Sequence, residues 1–265
     1  MLEEQLGARF GWSTDEASRN AIISCVNHKA EKLGLDEISY YNTLLKSPAE
    51  LMSLAEQTAN SDTRFFREPK QFNCIREEVL PELAKTNKTT RQLRIWSAGC
   101  STGEEAYSIA MLCREKLRRL DEWQIEILGT DLSSKALLDA NLGKYSATSL
   151  RNVNEEQRQK FFAPAGDSTS LQLKPEIKKM VSFRRGNLVE QSFWRQIKKG
   201  YDLIICSHML VHLHSVASKQ VIRRITDALR PGGYLMVAEQ EKGLIDGPAF
   251  TCMDGASIFC KKDSE

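Results

Sequence analysis

Residues 99–105, Gly99-Cys100-Ser101-Thr102-Gly103-Glu104-Glu105, set two glycines among hydroxyls and paired acids. They follow the apolar-rich run Leu93-Arg94-Ile95-Trp96-Ser97-Ala98 and precede an amphipathic stretch. That is the form of a strand, a ligand-cradling turn and a helix start, the place where open α/β sheets bind nucleotide-like ligands. Gly99 and Gly103 let the backbone approach a ligand with no Cβ in the way. Thr102 followed by Glu104 and Glu105 suits a helix N-terminus. The same acids repel phosphate, and no Lys follows the glycines as in a P-loop. The predicted ligand carries hydroxyls and a positive charge.

Asp131 ends the next apolar run, where an acid in such folds accepts hydrogen bonds from ribose hydroxyls. A strand-end Asp also caps helices; joined to the glycine turn, the ribose reading is the better one. The absence of GxGxxG and the acids after the turn move the expected cofactor from NAD to S-adenosylmethionine, whose sulfonium and ammonium groups tolerate acidic neighbours. Asn187-Leu188 ends a third run and offers an amide to the adenine edge with an apolar wall, or simply a turn. Cys206-Ser207-His208 ends a fourth at the same sheet edge. His208 and His212, at i and i+4, could bind zinc; with no acid or Cys ligand nearby, polar packing is the stronger reading and no metal is assigned.

These residues need elements to hold them. From Leu93 onward strand and helix patterns alternate: strands at 93–98, 124–130, 181–185, 202–206 and 234–239, with helices at 104–120, 133–142 and 218–229. Arg230-Pro231-Gly232-Gly233 reads as a sharp turn into the fifth strand. Phe250–Met253 and Ser257–Lys261 read as a hairpin about a two-residue Asp254-Gly255 turn. The fold class is therefore α/β, a doubly wound, mostly parallel sheet. Residues 144–180 break the alternation and read as an insertion, a small sheet. Residues 14 to about 58 read as helices, with caps at 13–15, a break at Gly34 and a new start at Ser47-Pro48. A further helix is expected over 70–85, so residues 1–85 form a helical domain with a connector and 86–265 the ligand-binding domain. The connector holds Thr63-Arg64-Phe65-Phe66-Arg67-Glu68, for which composition alone implies one anchoring Phe and solvated arginines.

Lys and Arg together number 37 against 35 for Asp and Glu, so no overall field favours nucleic acid. Seven Cys, at 25, 74, 100, 113, 206, 252 and 260, lack CxxC or zinc-ligand spacing, and most of them read as small buried hydrophobes in a reducing compartment. The first eleven residues lack a signal-peptide core and no stretch approaches a membrane span, so a cytoplasmic monomer without membrane insertion is expected.

Taken in order, Phe65-Phe66-Arg67-Glu68, Arg94 to Ser108 (with Trp96 to Glu105 the most specific), Gly129-Thr130-Asp131-Leu132, Asn187-Leu188 and Leu229-Arg230-Pro231-Gly232-Gly233 resemble the chemotaxis receptor methyltransferases of the CheR type. The resemblance spans nearly the whole chain. It implies a Rossmann-like class I methyltransferase sheet with an N-terminal helical domain and an inserted β-subdomain. It also implies S-adenosylmethionine-dependent methyl esterification of glutamate side chains on a chemoreceptor or related signalling protein. By the same resemblance Arg67 reaches cofactor and substrate, Glu105 meets the cofactor's amino-acid end, Asp131 the ribose, and Asn187 with Leu188 the adenine. Thr63 lines the cofactor, Gly99 belongs to the glycine turn, and Ser61 stands where the family usually has Asn.

Strand four departs from the family. Its usual Cys-Arg-Asn-Val-x-Ile-Tyr-Phe is here Cys206 to Leu213, so Ser207 and His208 replace two cofactor-side residues. His212 replaces a tyrosine placed near the transferred methyl. The family's Gly-His-Ser-Glu is Ala238-Glu239-Gln240-Glu241. The loop around 163–170 is short for docking a receptor's C-terminal peptide. Arg19, His28, Lys29 and Lys32 could meet an acidic helical substrate, or form only a solvated face. The alternatives are a regulatory protein that keeps the pocket without turnover and a methyltransferase with another acceptor.

Overall fold

The computed structural model describes residues 2–13, 15–58, 63–166, 169–253 and 255–262. Four helices come first: α1 (Leu2–Phe10), α2 (Glu16–Leu33), α3 (Glu37–Lys46) and α4 (Pro48–Thr58). Asp15 and Asp36 cap α2 and α3 by accepting from the N–H of Ser18 and Ser39. Gly34 ends α2 in the left-handed conformation. Helix α1 lies ahead of the stretch read as helical. Its signal is a bare i, i+4, i+8 stripe of Leu2, Leu6 and Phe10, all buried, interrupted by Gly7.

The connector leads into α5 (Pro69–Cys74), a π turn (Ile75–Val79) and α6 (Leu80–Thr86), which run on as one rod. Pro81 lacks an N–H and its ring crowds the preceding turn; the wider turn, with Leu80 N–H bonded to Ile75 O, absorbs it.

The alternating part follows in chain order as β1 (Gln92–Ala98), α7 (Glu104–Lys116), β2 (Gln124–Asp131) and α8 (Ser134–Leu142). The insertion is β3 (Lys144–Ser146), α9 (Glu155–Phe161), β4 (Phe162–Pro164), β5 (Ser170–Leu173) and α10 (Pro175–Lys178). Then come β6 (Val181–Arg185), α11 (Gln191–Trp194), β7 (Tyr201–Ile205), α12 (Ser215–Ala228), β8 (Leu229–Met236), β9 (Phe250–Cys252) and β10 (Ile258–Lys261). The main sheet runs β6-β2-β1-β7-β8-β10-β9, its first five strands parallel and β10 antiparallel to both neighbours. Chain order reverses between β1 and β7, so the crevice beyond their C-terminal ends is the switch point where such sheets take ligands. The insertion is a separate antiparallel sheet, β3-β5-β4.

One turn expectation changes. Arg230 to Gly233 lies inside β8 as a bulge, because Leu229 already pairs with Tyr201 before Tyr234 pairs with Leu203. In the β9–β10 connection Ala256 N–H reaches Met253 O (3.4 Å), so the chain reverses where the Asp254-Gly255 turn is expected. Met253 N–H bonds Ile258 O, and Val237 N–H holds Ser257 O beside β8. Asp254 itself lies outside the described residues.

Apolar side chains bury both faces of the sheet. One face packs under α5 to α7 and the insertion; the other packs under α11, α12 and α1 to α4. Trp96 is fully buried on this second face, its indole N–H donating to Thr130 Oγ1 (2.9 Å) and its ring meeting Phe193, Trp194 and Tyr201. The N-terminal helices are tied directly to the sheet's C-terminal edge. Trp12 pairs with Leu213, Ser13 N–H donates to His212 O (2.8 Å), and His214 N–H donates to Gly11 O (2.7 Å).

Candidate active site

The glycine turn is held open by its backbone. Gly99, Ser101 and Gly103 all have positive φ, and the N–H groups of Gly99 and Cys100 both donate to Thr130 O. Gly103, rather than Thr102, is the cap of α7; the Thr102 hydroxyl donates instead to the buried Glu104 carboxylate (2.6 Å). A Cβ on Gly103 would meet Ala140, Phe183 and Tyr107 within 3.2 Å, so the turn has room for nothing larger. Asp131 fastens the turn from β2: Oδ2 accepts from Ser101 N–H and Oδ1 from Ser133 N–H, each at 2.8 Å. Burial raises the Asp131 pKa, and those backbone hydrogen bonds act against the rise.

The crevice divides into two connected spaces that share Gly99, Ser101, Ser207 and His208 as common walls. The larger, about 280 Å³, is lined by Asp131, Asn187, Leu188 and His212 among others. The smaller, about 20 Å³, lies between the connector residues Thr63, Arg64, Arg67 and Glu68 and the turn residues Cys100 and Glu105. Each cavity therefore collects a different part of the expected set. Ser61 lies outside the described residues.

The connector reaches the small cleft because both of its phenylalanines are buried. Phe65 meets Tyr145 and Phe162 of the insertion edge-on (4.8 and 5.3 Å) and Phe66 meets Phe72 (5.4 Å). Phe66 sits at φ 50°, fixed by Ser108 Oγ accepting from its N–H and Asn152 Nδ2 donating to its O. The composition-based expectation of one anchor is corrected. Two anchors aim the next residue, Arg67, at the cleft.

Inside the cleft the Glu105 carboxylate accepts from Ser97 Oγ (2.7 Å). Burial pushes its pKa up to about 8; Glu241 and Glu68 add to the rise, while the Ser97 hydrogen bond and the Arg67 charge oppose it. Ser207 Oγ is buried with no hydrogen-bond partner among the described residues. His208, at φ 60°, places Nε2 at 2.7 Å from Glu68 Oε1. Its backbone N–H donates to Glu241, whose fully buried carboxylate also accepts from Val211 and Ala238 N–H (2.8, 3.2 and 3.1 Å). Glu241 thus fixes the loop after β7 from the β8 side.

Some expected residues are engaged in other ways. Asn187 Nδ2 donates to Arg9 O (2.8 Å) and Oδ1 accepts from Val189 N–H (3.0 Å), so its amide ties α1 to the cavity wall. Leu188 is buried along that wall and its carbonyl accepts from Trp194 Nε1. His212 is exposed on a single 3₁₀ turn (Leu210–His212) that His208 precedes, so the pair does not share a helix face. Arg67 and His212 line different cavities. Lys29 is buried against Glu50 and Ser53 (both 2.7 Å), which removes it from any free basic face, whereas Arg19 pairs with Glu3 while staying exposed. Among the residues missed by sequence are Phe10, Trp12 and Glu56, which line the large cavity from the N-terminal segment.

A family model described as CheR methyltransferase, SAM binding domain, matches residues 61–256. The chain belongs to the CheR methyltransferase family. A chemotaxis protein methyltransferase of Borreliella burgdorferi is 30% identical over 238 residues, covering 88% of this chain and 83% of its own. Another, of Pseudomonas putida, is 32% identical over 248 residues, covering 91% and 86%. A probable one of Rhizobium etli is 28% identical over 249 residues, covering 92% and 91%.

S-adenosylmethionine is the cofactor of this CheR fold, and the residues present suit it. Asp131 offers acceptors to hydroxyls, Leu188 an apolar wall, and Glu105 a half-buried carboxylate whose charged form a second cation, beside that of Arg67, would favour further. The unpartnered Ser207 hydroxyl, at the junction of the two cavities, supplies one more polar atom. Asp131 and Leu188 would hold the nucleoside, with Asn187 fixing the wall behind them; Glu105, Arg67 and Thr63 would hold the amino-acid end.

Proposed function

We propose that this chain methyl-esterifies glutamate side chains on a chemoreceptor or related signalling protein. The observation that carries the reading is the placement of Arg67 by the doubly anchored connector, at the cleft that Glu105 lines from the opposite side. Bound S-adenosylmethionine supplies a methyl group carried on a sulfonium. Glu105 would neutralise the amino-acid ammonium. Arg67, always protonated and able to form a forked pair with a carboxylate, would orient the acceptor glutamate. A glutamate carboxylate is ionised at neutral pH, so no general base is required and the site's task is alignment. His212 lines the large cavity and not the cleft that holds Arg67, and it is assigned no proton transfer. The names carried by the relatives from B. burgdorferi and P. putida support the chemotaxis context.

A second reading, a regulatory protein that binds cofactor without turnover, draws on the altered wall after β7. There Ser207 is unpartnered and His208 is engaged by Glu68. Incubation with methyl-labelled cofactor and receptor cytoplasmic fragments, scored for base-labile methyl esters, separates the two. Base-labile label on glutamate supports the methyl ester expected of the first reading. Cofactor binding without label transfer supports the second.

A further inference from the structure

The two walls of the small cleft come from separate stretches of the chain, the glycine turn with the start of α7 and the connector, and methyl transfer needs both in register. Glu105 belongs to one and Arg67 to the other. Across the cleft His208 meets Glu68. Outside it, two side chains tie the walls together. Ser108 of α7 accepts from Phe66 N–H and donates to Glu104 O. The second is Tyr145 of β3, whose hydroxyl donates to Thr102 O of the turn (2.8 Å) and whose ring meets Phe65 of the connector edge-on (4.8 Å). We propose that Tyr145 is a positioning residue for methyl transfer, setting from the insertion both the turn that takes the cofactor and the connector that carries Arg67.

The surroundings of Tyr145 hold it to that place. It lies two residues past Gly143, whose left-handed conformation (φ 67°) ends α8 and turns the chain into β3. Tyr145 pairs with Leu171 of β5, which fixes the direction of its side chain. The residue is buried, and that burial, with the Glu104 charge adding to it, raises the phenol pKa well above its ordinary value, so the hydroxyl stays a donor. Thr102 stands between Ser101 and Gly103, both at positive φ, where the chain is neither strand nor helix, and the phenol gives it a fixed point. On the connector side the insertion adds Ser149 O, accepting from Phe65 N–H, and Asn152 Nδ2, donating to Phe66 O, both at 3.0 Å. Arg67 is the next residue, so one frame carries the phenol and the start of the guanidinium's chain. An in-line transfer tolerates little play: about 1 Å of misplacement costs on the order of a hundredfold in rate.

The inference rests on the glutamate-methylation reading, and its test keeps the two apart. The full chain is titrated with S-adenosylhomocysteine by calorimetry and assayed with methyl-labelled cofactor and receptor cytoplasmic fragments. Failure of the unaltered protein to bind overturns both; binding without transfer removes the methylation reading and leaves the calorimetry to decide the turn. Tyr145→Phe keeps the ring on Phe65 and loses only the hydroxyl. It should bind S-adenosylhomocysteine about tenfold more weakly, the scale of a buried carbonyl left unpaired, with the acceptor KM unchanged. Tyr145→Leu loses the ring contact as well, so kcat should fall about a hundredfold and the acceptor KM should rise. A tyrosine that serves stability alone would lower the unfolding midpoint and leave affinity, kcat and KM of the folded protein where they were. Unchanged affinity in Tyr145→Phe would overturn the proposal, and so would equal kcat and acceptor KM in the two variants. Where Tyr145→Leu does not fold, the affinity of Tyr145→Phe decides.

Discussion

The imidazole of His208 and the carboxylate of Glu68 meet at 2.7 Å and join the two walls of the small cleft. Glu68 immediately follows Arg67, so what holds Glu68 also limits where the Arg67 guanidinium can go. The pair is largely shielded from water, where such contacts are worth more than on the surface. His208→Ala and Glu68→Gln should each lower methyl transfer, and the double variant should lose less than the sum of the two. A coupling of about 1 kcal/mol is the expected scale. Methyl-transfer rates for the four proteins of the cycle measure it, and strict additivity would show that the contact does not position Arg67.

Replacing Arg67 tests the proposed acceptor role. Arg67→Ala should reduce ester formation about a hundredfold or more through misplacement of the acceptor, with cofactor binding retained at reduced affinity. Arg67→Lys should restore little, since a point charge does not reproduce a planar fork. Undiminished methylation by Arg67→Ala would remove the residue from the mechanism.

Glu241 was legible in the sequence only as the last acid of an altered motif, and its structural work is larger than that. One buried carboxylate accepts from His208, Val211 and Ala238, so its loss orphans three backbone donors. Glu241→Ala should cost about 3 kcal/mol of stability. It should also weaken cofactor binding, because the loop it fixes carries Ser207 and His208. Denaturant unfolding and calorimetry on the same variant check the two effects.

Legibility followed the range of the determining contacts. The strand–turn–helix at Gly99, the acid at Asp131 and the doubly wound order were readable because local periodicity and small-residue spacing set them. The strand limits around β1, β2 and β6 follow from the same signals. What could not be read depends on partners distant in sequence. The burial of both Phe65 and Phe66 requires Tyr145 and Phe162 of the insertion. The bonding of Asn187 to Arg9 and of Lys29 to Glu50 turns two apparent ligand-facing side chains into structural ones. Trp12 and Glu56 enter the cavity only because α1 to α4 pack on the sheet, an arrangement no local pattern encodes.

Glu105 gives the site a pH dependence with a definite sign. Its ordinary value is 4.5, and burial raises it to about 8 in the free protein. Between those values the folded chain holds a proton that the unfolded chain has released, so stability falls as pH rises through this window. A cationic ammonium beside the carboxylate favours the charged form, so binding at pH 7 should release close to one proton, and affinity should rise toward about pH 8. Calorimetry at pH 7 in two buffers of different ionisation enthalpy measures the release. Glu105→Gln should abolish it, weaken cofactor binding and raise the unfolding temperature of the free protein at alkaline pH. Equal binding enthalpies in the two buffers for the unaltered protein would show that Glu105 does not exchange its proton for the cofactor's charge.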